Sequence, residues 1–148
     1  MAAAAGLAVA AALAARVVGR VAVTGGSMRP TLEPGDHVLV VRRRRYPPGA
    51  VVALADPRDR RRLLVKRVVA VTDGGDLLVA GDDPTASTDS RTFGPVASAL
   101  VRGEVVHRYA PRERAGRMPR AAGRPSLPSS SWTETGSSGC STPPPSAT

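Results

Sequence analysis

The stretch GGSMRPTLEPGDHVLV, residues 25–40, places one serine inside a loop and then runs into an apolar segment. Gly25 and Gly26 precede Ser27, and Met28 and Pro30 follow it. The glycines allow backbone N–H groups to approach a substrate closely, whereas the proline restricts the chain that follows. A serine nucleophile needs a fixed hydroxyl beside accessible N–H groups. The stretch therefore predicts a nucleophile at Ser27, in a loop whose backbone binds an oxyanion.

Downstream of this loop, the sequence reads as short strands separated by turns that contain glycine or proline. The candidate strands are 37–42 (HVLVVR), 50–55 (AVVALA), 62–72 (RLLVKRVVAVT), 77–81 (LLVAG) and 102–110 (RGEVVHRYA), with one helical turn at 97–100. The turn DGGD at 73–76 is typical of a hairpin. No long segment has the 3.6-residue period of a helix. The prediction is an all-β fold, either barrel-like or a folded sheet.

The 148-residue chain is predicted to contain one domain with two appendages. Residues 1–20 are alanine-rich and apolar, which allows a weak membrane anchor or a short peripheral helix. Residues 21–110 form the predicted catalytic domain. Residues 111–148 are basic and then rich in Ser, Pro and Gly, which predicts a disordered tail.

The apolar run before Arg16 is shorter than the roughly 20 residues that span a bilayer, and positive charge follows it. This pattern favours a cytoplasmic or peripherally membrane-associated protein. A membrane-anchored protein with its catalytic domain outside is the alternative.

The chain carries a net charge of +9, with arginine runs at 42–45 and 58–62. Specific nucleic-acid binding is disfavoured, because only 3% of the residues are aromatic and no zinc-finger or helix-turn-helix spacing is present. A solvated surface that contacts anionic lipid headgroups or an acidic substrate is the preferred interpretation of the charge.

Neither a cofactor nor a metal ion is predicted. Cys140 is the only cysteine, so the chain forms no internal disulfide and no cysteine metal site. Asp82, Asp83 and Asp89 could offer oxygen ligands, but His37 and His107 lack metal-ligand spacing and are interpreted as strand residues.

Lys66 is the only lysine in a chain that otherwise uses arginine for positive charge. Arginine stays protonated in proteins, whereas a buried lysine can lose its proton near neutral pH. Lys66 lies within the aliphatic run LLVKRVV, which favours burial. A lysine that reaches solvent through its flexible stem is the structural alternative. Together with Ser27, Lys66 predicts a serine–lysine catalytic pair.

Three segments in order resemble the boxes of the type I signal peptidase family, the S26 serine–lysine endopeptidases. GSMRPTLEPGD resembles the nucleophile box with Ser27, and LLVKRVVAV resembles the general-base box with Lys66. GDDPTASTDSRTFGPV, residues 81–96, resembles the third box. The resemblance implies a signal-peptidase-like β-fold, no cofactor, and a leader-bearing protein substrate bound as an extended strand.

The resemblance also implies roles for residues of the third box. Ser87 would orient the Lys66 amine, Asp89 and Arg91 would pair, and the Gly81–Asp82 turn would position the box. Met28 and Pro30 would shape the nucleophile loop.

Three features depart from the family pattern. Asp83 replaces the usual asparagine, and Gly25 supplies no side-chain hydroxyl to the oxyanion hole. The short connection between Lys66 and Gly81 leaves no room for the accessory domain of large signal peptidases.

The predicted activity is removal of an N-terminal leader peptide by a serine endopeptidase. Compactness, the LLVKR segment and the ending RYAPRERAGRM resemble proteases that mature nickel-type superoxide dismutase proenzymes. The alternatives are a general signal peptidase acting on exported preproteins and a non-catalytic β-barrel that binds peptides or lipid headgroups. Self-cleaving SOS repressors share the serine–lysine chemistry, but the chain lacks their DNA-binding domain.

Overall fold

Strands dominate the computed structural model, which describes residues 17–120. They are β1 (Val17–Ala22), β2 (His37–Val41), β3 (Val51–Ala55), β4 (Leu63–Val71), β5 (Leu77–Ala80), β6 (Val101–Ala110) and β7 (Gly116–Arg117). One short helix, α1 (Ser90–Phe93), and 3₁₀ turns at Ser98–Leu100 and Arg112–Arg114 complete the secondary structure of these residues. The predicted all-β fold is confirmed.

All strands belong to one antiparallel sheet in the order β1-β2-β6-β3-β4-β5, and β7 pairs with β6. The register shifts within four of these pairings, including Leu39/Val40 between β2 and β6 and Ala53/Leu54 between β3 and β6. Such bulges bend strands and increase their twist. Gly103 of β6 permits a close crossing, because a Cβ there would lie 2.7 Å from the Val41 carbonyl oxygen.

The core consists of two hydrophobic clusters separated by β3, which is buried along its whole length. Val52 and Leu54 face one cluster, whereas Val51 and Ala53 face the other. Alternate residues of a strand point to opposite faces, so a strand buried on both faces must be apolar throughout. This requirement explains the unbroken run VVALA.

The described strands extend beyond both predicted domain boundaries. β1 begins at Val17 and pairs with β2, four residues before the predicted start of the domain at 21. Residues 111–120, predicted to begin a disordered tail, instead form a 3₁₀ turn and β7, which pairs with His107 and Arg108. Backbone pairing with β6 and ion pairs give this basic segment order that its composition does not indicate.

Residues 1–16 of the predicted weak anchor or short helix, and the tail residue Cys140, lie outside the described residues, whereas residues 17–20 belong to strand β1. Within residues 17–120, no helix has both the length and the apolar character needed to cross a membrane.

Candidate active site

The loop that carries Ser27 is closed at its base and anchored in the core. Val23 N–H donates to the Asp36 carbonyl and Gly35 N–H to the Val23 carbonyl, both at 2.8 Å. Met28 and Leu32 are buried in the hydrophobic cluster beside β2. Gly25 and Pro30 are exposed, while Ser27 and Gly26 are half-buried. The loop therefore holds Ser27 partly exposed, above hydrogen bonds and buried side chains that anchor the loop in the core.

A buried carboxylate at the end of this loop gathers several donors. Asp36 is 1% exposed and accepts the Glu33 N–H at 2.9 Å, a contact from Arg108 Nη1 at 3.3 Å, and one from Arg114 Nη2. Arg108 Nη1 also donates to the Thr31 carbonyl at 3.0 Å. We name Asp36, Arg108 and Arg114 the loop latch, since they join the serine loop to β6 and the 3₁₀ turn after it.

Lys66 lies on β4 with only 2% of its surface exposed. Its Nζ donates to Ser87 Oγ at 2.9 Å. Burial is the main cause that lowers the pKa of the Lys66 ammonium from its usual 10.5. Asp89 opposes this shift, while the guanidinium groups of Arg91 and Arg58 reinforce it. The structure thus places the only lysine where burial shifts its protonation equilibrium toward the neutral form.

Asp89 accepts a hydrogen bond from Ser87 and so fixes the orientation of the Ser87 hydroxyl. Ser87 Oγ donates to Asp89 Oδ2 at 2.8 Å, and Arg91 contacts both Asp89 oxygens, Nε at 2.9 Å and Nη2 at 2.8 Å. Burial alone would raise the pKa of Asp89, but hydrogen bonds from Arg91, Ser87 and the Gly81 N–H hold it well below its usual range. Asp89 also caps α1, so the carboxylate stays ionised and fixes the acceptor for Ser87.

Gly81 lies where the serine and lysine regions meet. A Cβ at this position would lie 2.4 Å from Ser87 Oγ and 2.5 Å from the Ser27 carbonyl oxygen, so only glycine fits. The next residues continue the connection, because Asp83 N–H donates to the Ser27 carbonyl at 3.0 Å.

Arg67, which sequence reasoning missed, ties the same regions together. Its side chain is 7% exposed and contacts both oxygens of Asp82 at 2.7 and 2.6 Å. Thr31 Oγ1 donates to Asp82, and Arg67 also donates to the Gly49 carbonyl at 2.9 Å. Its position directly after Lys66 on a buried strand was the available signal, because a buried arginine requires a partner.

Ser27 and Lys66 line one open cleft of about 640 Å³ between β1 and the start of β4. No hydrogen bond joins their side chains within residues 17–120. In that range the Ser27 backbone N–H likewise donates to no other group. Catalytic contacts are often loose without substrate and tighten when it binds. The cleft therefore brings a serine and a lysine to one bound molecule, and the Ser27 N–H has no hydrogen-bond partner among residues 17–120.

The remaining candidate residues lie away from this cleft. His37 and His107 are in β2 and β6, in agreement with their interpretation as strand residues. In the described part of the chain, no group of three or more His, Cys, Asp or Glu residues is arranged to hold a metal ion.

Comparison with known proteins places this arrangement in a family. The profile of signal peptidase, peptidase S26, matches residues 1–74, half of the chain. The chain belongs to the S26 signal peptidase family. It is therefore a serine-type peptidase of that family, as the three sequence boxes predicted.

Relatives of this S26 chain include subunits of mitochondrial inner membrane proteases. Subunit 2 of Schizosaccharomyces pombe is 32% identical, with 65% of this chain and 67% of the relative covered. Subunit 2 of Mus musculus is 33% identical, with 62% and 67% covered. The ATP-independent subunit 1a of Arabidopsis thaliana is 32% identical, with 62% and 70% covered.

Proposed function

We propose that this S26 peptidase removes N-terminal leader peptides, with Ser27 as nucleophile and Lys66 as general base. The observation that carries the proposal is the burial of the only lysine in the cleft that contains Ser27. A neutral amine can accept a proton from a serine hydroxyl, and burial favours that neutral form.

In the proposed acylation step, Ser27 Oγ attacks the scissile carbonyl carbon while Lys66 Nζ takes the hydroxyl proton. The backbone N–H of Ser27 donates to the oxyanion. Collapse of the intermediate breaks the C–N bond, and the Lys66 ammonium returns its proton to the leaving amine. Lys66 then removes a proton from a water molecule whose oxygen attacks the ester carbon. Cleavage of the bond to Ser27 Oγ releases the product acid, and the Lys66 ammonium returns its proton to Oγ.

Ser87, Asp89 and Arg91 are positioning residues in this proposal. The hydrogen bond from Lys66 Nζ to Ser87 fixes one amine hydrogen and directs the nitrogen lone pair elsewhere. Because Asp89 is ionised, the Ser87 hydroxyl donates its hydrogen to the Asp89 carboxylate. The Ser87 oxygen is then free to accept a hydrogen bond from Lys66.

Strand addition is the proposed mode of substrate binding. β5 pairs with β4 only from Arg67 onward, so one edge of Leu63–Val65 has no strand partner in the described chain. β1, on the other wall of the cleft, pairs with β2 alone among the described strands. Open strand edges bind extended peptides through main-chain hydrogen bonds.

The proposed nucleophile is tested by incubating wild type and Ser27→Ala with a leader-bearing protein and reading the product N-terminus by mass spectrometry. Wild type should release one defined N-terminus and Ser27→Ala none. Equal cleavage by the two proteins would exclude Ser27 as the nucleophile.

The narrower proposal for the substrate is a nickel superoxide dismutase proenzyme. It rests on the resemblance of the compact chain and its RYAPRERAGRM ending to maturation proteases. Co-expression with such a proenzyme should give leader removal by wild type and not by Ser27→Ala. An intact proenzyme would favour the alternative, in which the substrates are exported preproteins.

For localisation, we propose a cytoplasmic protein that contacts an anionic membrane surface through its arginines. Arg42–Arg45 are all exposed in the loop after β2, and only Arg43 of these pairs with a described carboxylate, that of Glu104. Flotation with phosphatidylserine vesicles should carry wild type upward and leave a variant with Arg42, Arg44 and Arg45 changed to Gln behind. Equal flotation of both proteins would exclude this loop as the contact.

A further inference from the structure

The cleft that contains Ser27 and Lys66 has a one-sided charge. Its lining includes Arg20, Arg58 and Arg62 besides Lys66, and no aspartate or glutamate of the described chain lines it. A cleft lined by one sign of charge concentrates ligands of the opposite sign. The partners of each arginine decide which of them is available to a bound peptide.

Two of the three arginines have a partner. Arg58 contacts both carboxylate oxygens of Asp56, Nε to Oδ1 at 3.0 Å and Nη2 to Oδ2 at 2.8 Å. The Arg20 guanidinium lies 5.6 Å from the centre of the Tyr109 ring, a cation–π contact. Arg62 is exposed and forms no ion pair within residues 17–120, although its charge also acts on Asp56. One carboxylate thus faces two guanidinium groups, which leaves a positive charge at Arg62.

Arg62 also lies on the path of a bound peptide. It directly precedes β4, four residues before Lys66, and both residues line the cleft. At about 3.3 Å per residue, Arg62 is about 13 Å from Lys66 along the open edge of β4. An extended peptide on this edge would bring a residue about four positions from the scissile bond to Arg62.

We infer that Arg62 determines specificity by binding an acidic side chain of the substrate, three to five residues from the scissile bond. The inference rests on the proposed function for the location of that bond. Because Arg62 is solvent-exposed, the preference should be about threefold to fivefold at physiological salt and smaller at high salt.

Binding measurements in the Ser27→Ala protein separate this inference from catalysis. Fluorescence anisotropy would compare leader peptides that carry a single Glu, or Gln at the same position, scanned across both sides of the cleavage site. Glu three to five residues away should lower the Kd about threefold to fivefold. Adding Arg62→Gln should abolish the difference, whereas the charge-matched Arg61→Gln, at an exposed neighbour outside the cleft lining, should keep it.

Equal binding of the Glu and Gln peptides, or equal losses in the two arginine variants, would overturn the inference. With wild type, cleavage assays should place the Glu effect in KM with kcat unchanged. If wild type cleaves no peptide while the binding preference depends on Arg62, the proposed function fails and the acidic preference stands.

Discussion

Ser27 and Lys66 are held by two different kinds of support. The serine loop is fixed by apolar anchoring of Met28 and by the loop latch, whose arginines come from β6 and from the segment after it. Lys66 is fixed by its place on a buried strand and by hydrogen bonds within the third box. The serine therefore depends on residues 72 and 78 positions from Asp36, whereas the lysine depends on its own strand and on Ser87, 21 positions away.

Removing the Lys66 amine should reduce activity more than a change at Gly81 or at Arg114. Lys66→Met keeps a long side chain that suits burial but removes the base, so we expect cleavage to fall by about 10³-fold or more, within the range of general-base losses. Thermal unfolding should show that the fold is retained, because a buried ammonium is costly and methionine removes that cost. A variant that retains activity would exclude Lys66 as the base, whatever the state of Ser27.

The pH dependence of activity and stability tests the lowered pKa of Lys66. Because burial lowers the pKa of Lys66 from 10.5, kcat/KM should rise about tenfold per pH unit below that lowered pKa and level off above it. Between the lowered pKa and 10.5, Lys66 binds more protons in the unfolded chain than in the folded protein. The contribution of Lys66 to the free energy of unfolding therefore rises with pH in this range.

Paired measurements on wild type and Lys66→Met would check the pH prediction. In urea unfolding, Lys66→Met should have the larger free energy of unfolding at the low end of this range. The difference between the two proteins should become smaller as the pH rises toward 10.5, because wild type gains stability. A constant gap together with a flat rate profile would contradict a lowered pKa.

Gly81→Ala tests the close packing of Gly81 against Ser87 and the Ser27 carbonyl. The added Cβ would overlap Ser87 and the Ser27 carbonyl, so both catalytic groups should shift and activity should fall about tenfold to a hundredfold. We expect a loss of about 1–3 kcal/mol in the free energy of unfolding, as for other overpacked sites. Gly74→Ala is the matched control, because its Cβ would meet nothing closer than 3.8 Å. Similar losses in both variants would show that the close packing at Gly81 is unimportant.

The central strands and the third box were predictable from the sequence, whereas β1, β7 and the loop latch were not. β2 to β6 have apolar runs bounded by turn residues, so local pattern was sufficient to find them. β1 contains a glycine and an arginine, and β7 is only two residues long, so neither has a strong pattern. Tertiary pairing with neighbouring strands determines both of them.

The loop latch could not be predicted for the same reason. Asp36 lies in the loop before β2, and Arg114 lies in the segment predicted to be a disordered basic tail. Their contact joins residues 78 positions apart, and nothing in the local sequence of either residue indicates the other. The contact between Lys66 and Ser87, by comparison, was implied by the family resemblance and spans 21 positions.

Loss of Arg114, the latch residue farthest along the chain from Ser27, should reduce activity only slightly. Arg114→Gln removes one of the two guanidinium groups on Asp36, while Arg108 remains. The Arg114 side chain is 36% exposed, so solvent screening limits the expected loss to about 1 kcal/mol of unfolding free energy.

Activity of Arg114→Gln should fall only a few-fold, because the loop carrying Ser27 is loosened and not displaced. The pH of half-maximal kcat/KM should stay at its wild-type value, since Arg114 makes no contact with the Lys66 network. Arg112→Gln, in the same 3₁₀ turn and without a described ion pair, is the control and should behave as wild type. A shift of the pH profile in Arg114→Gln would mean that the latch also sets the pKa of Lys66, and that the two supports are coupled.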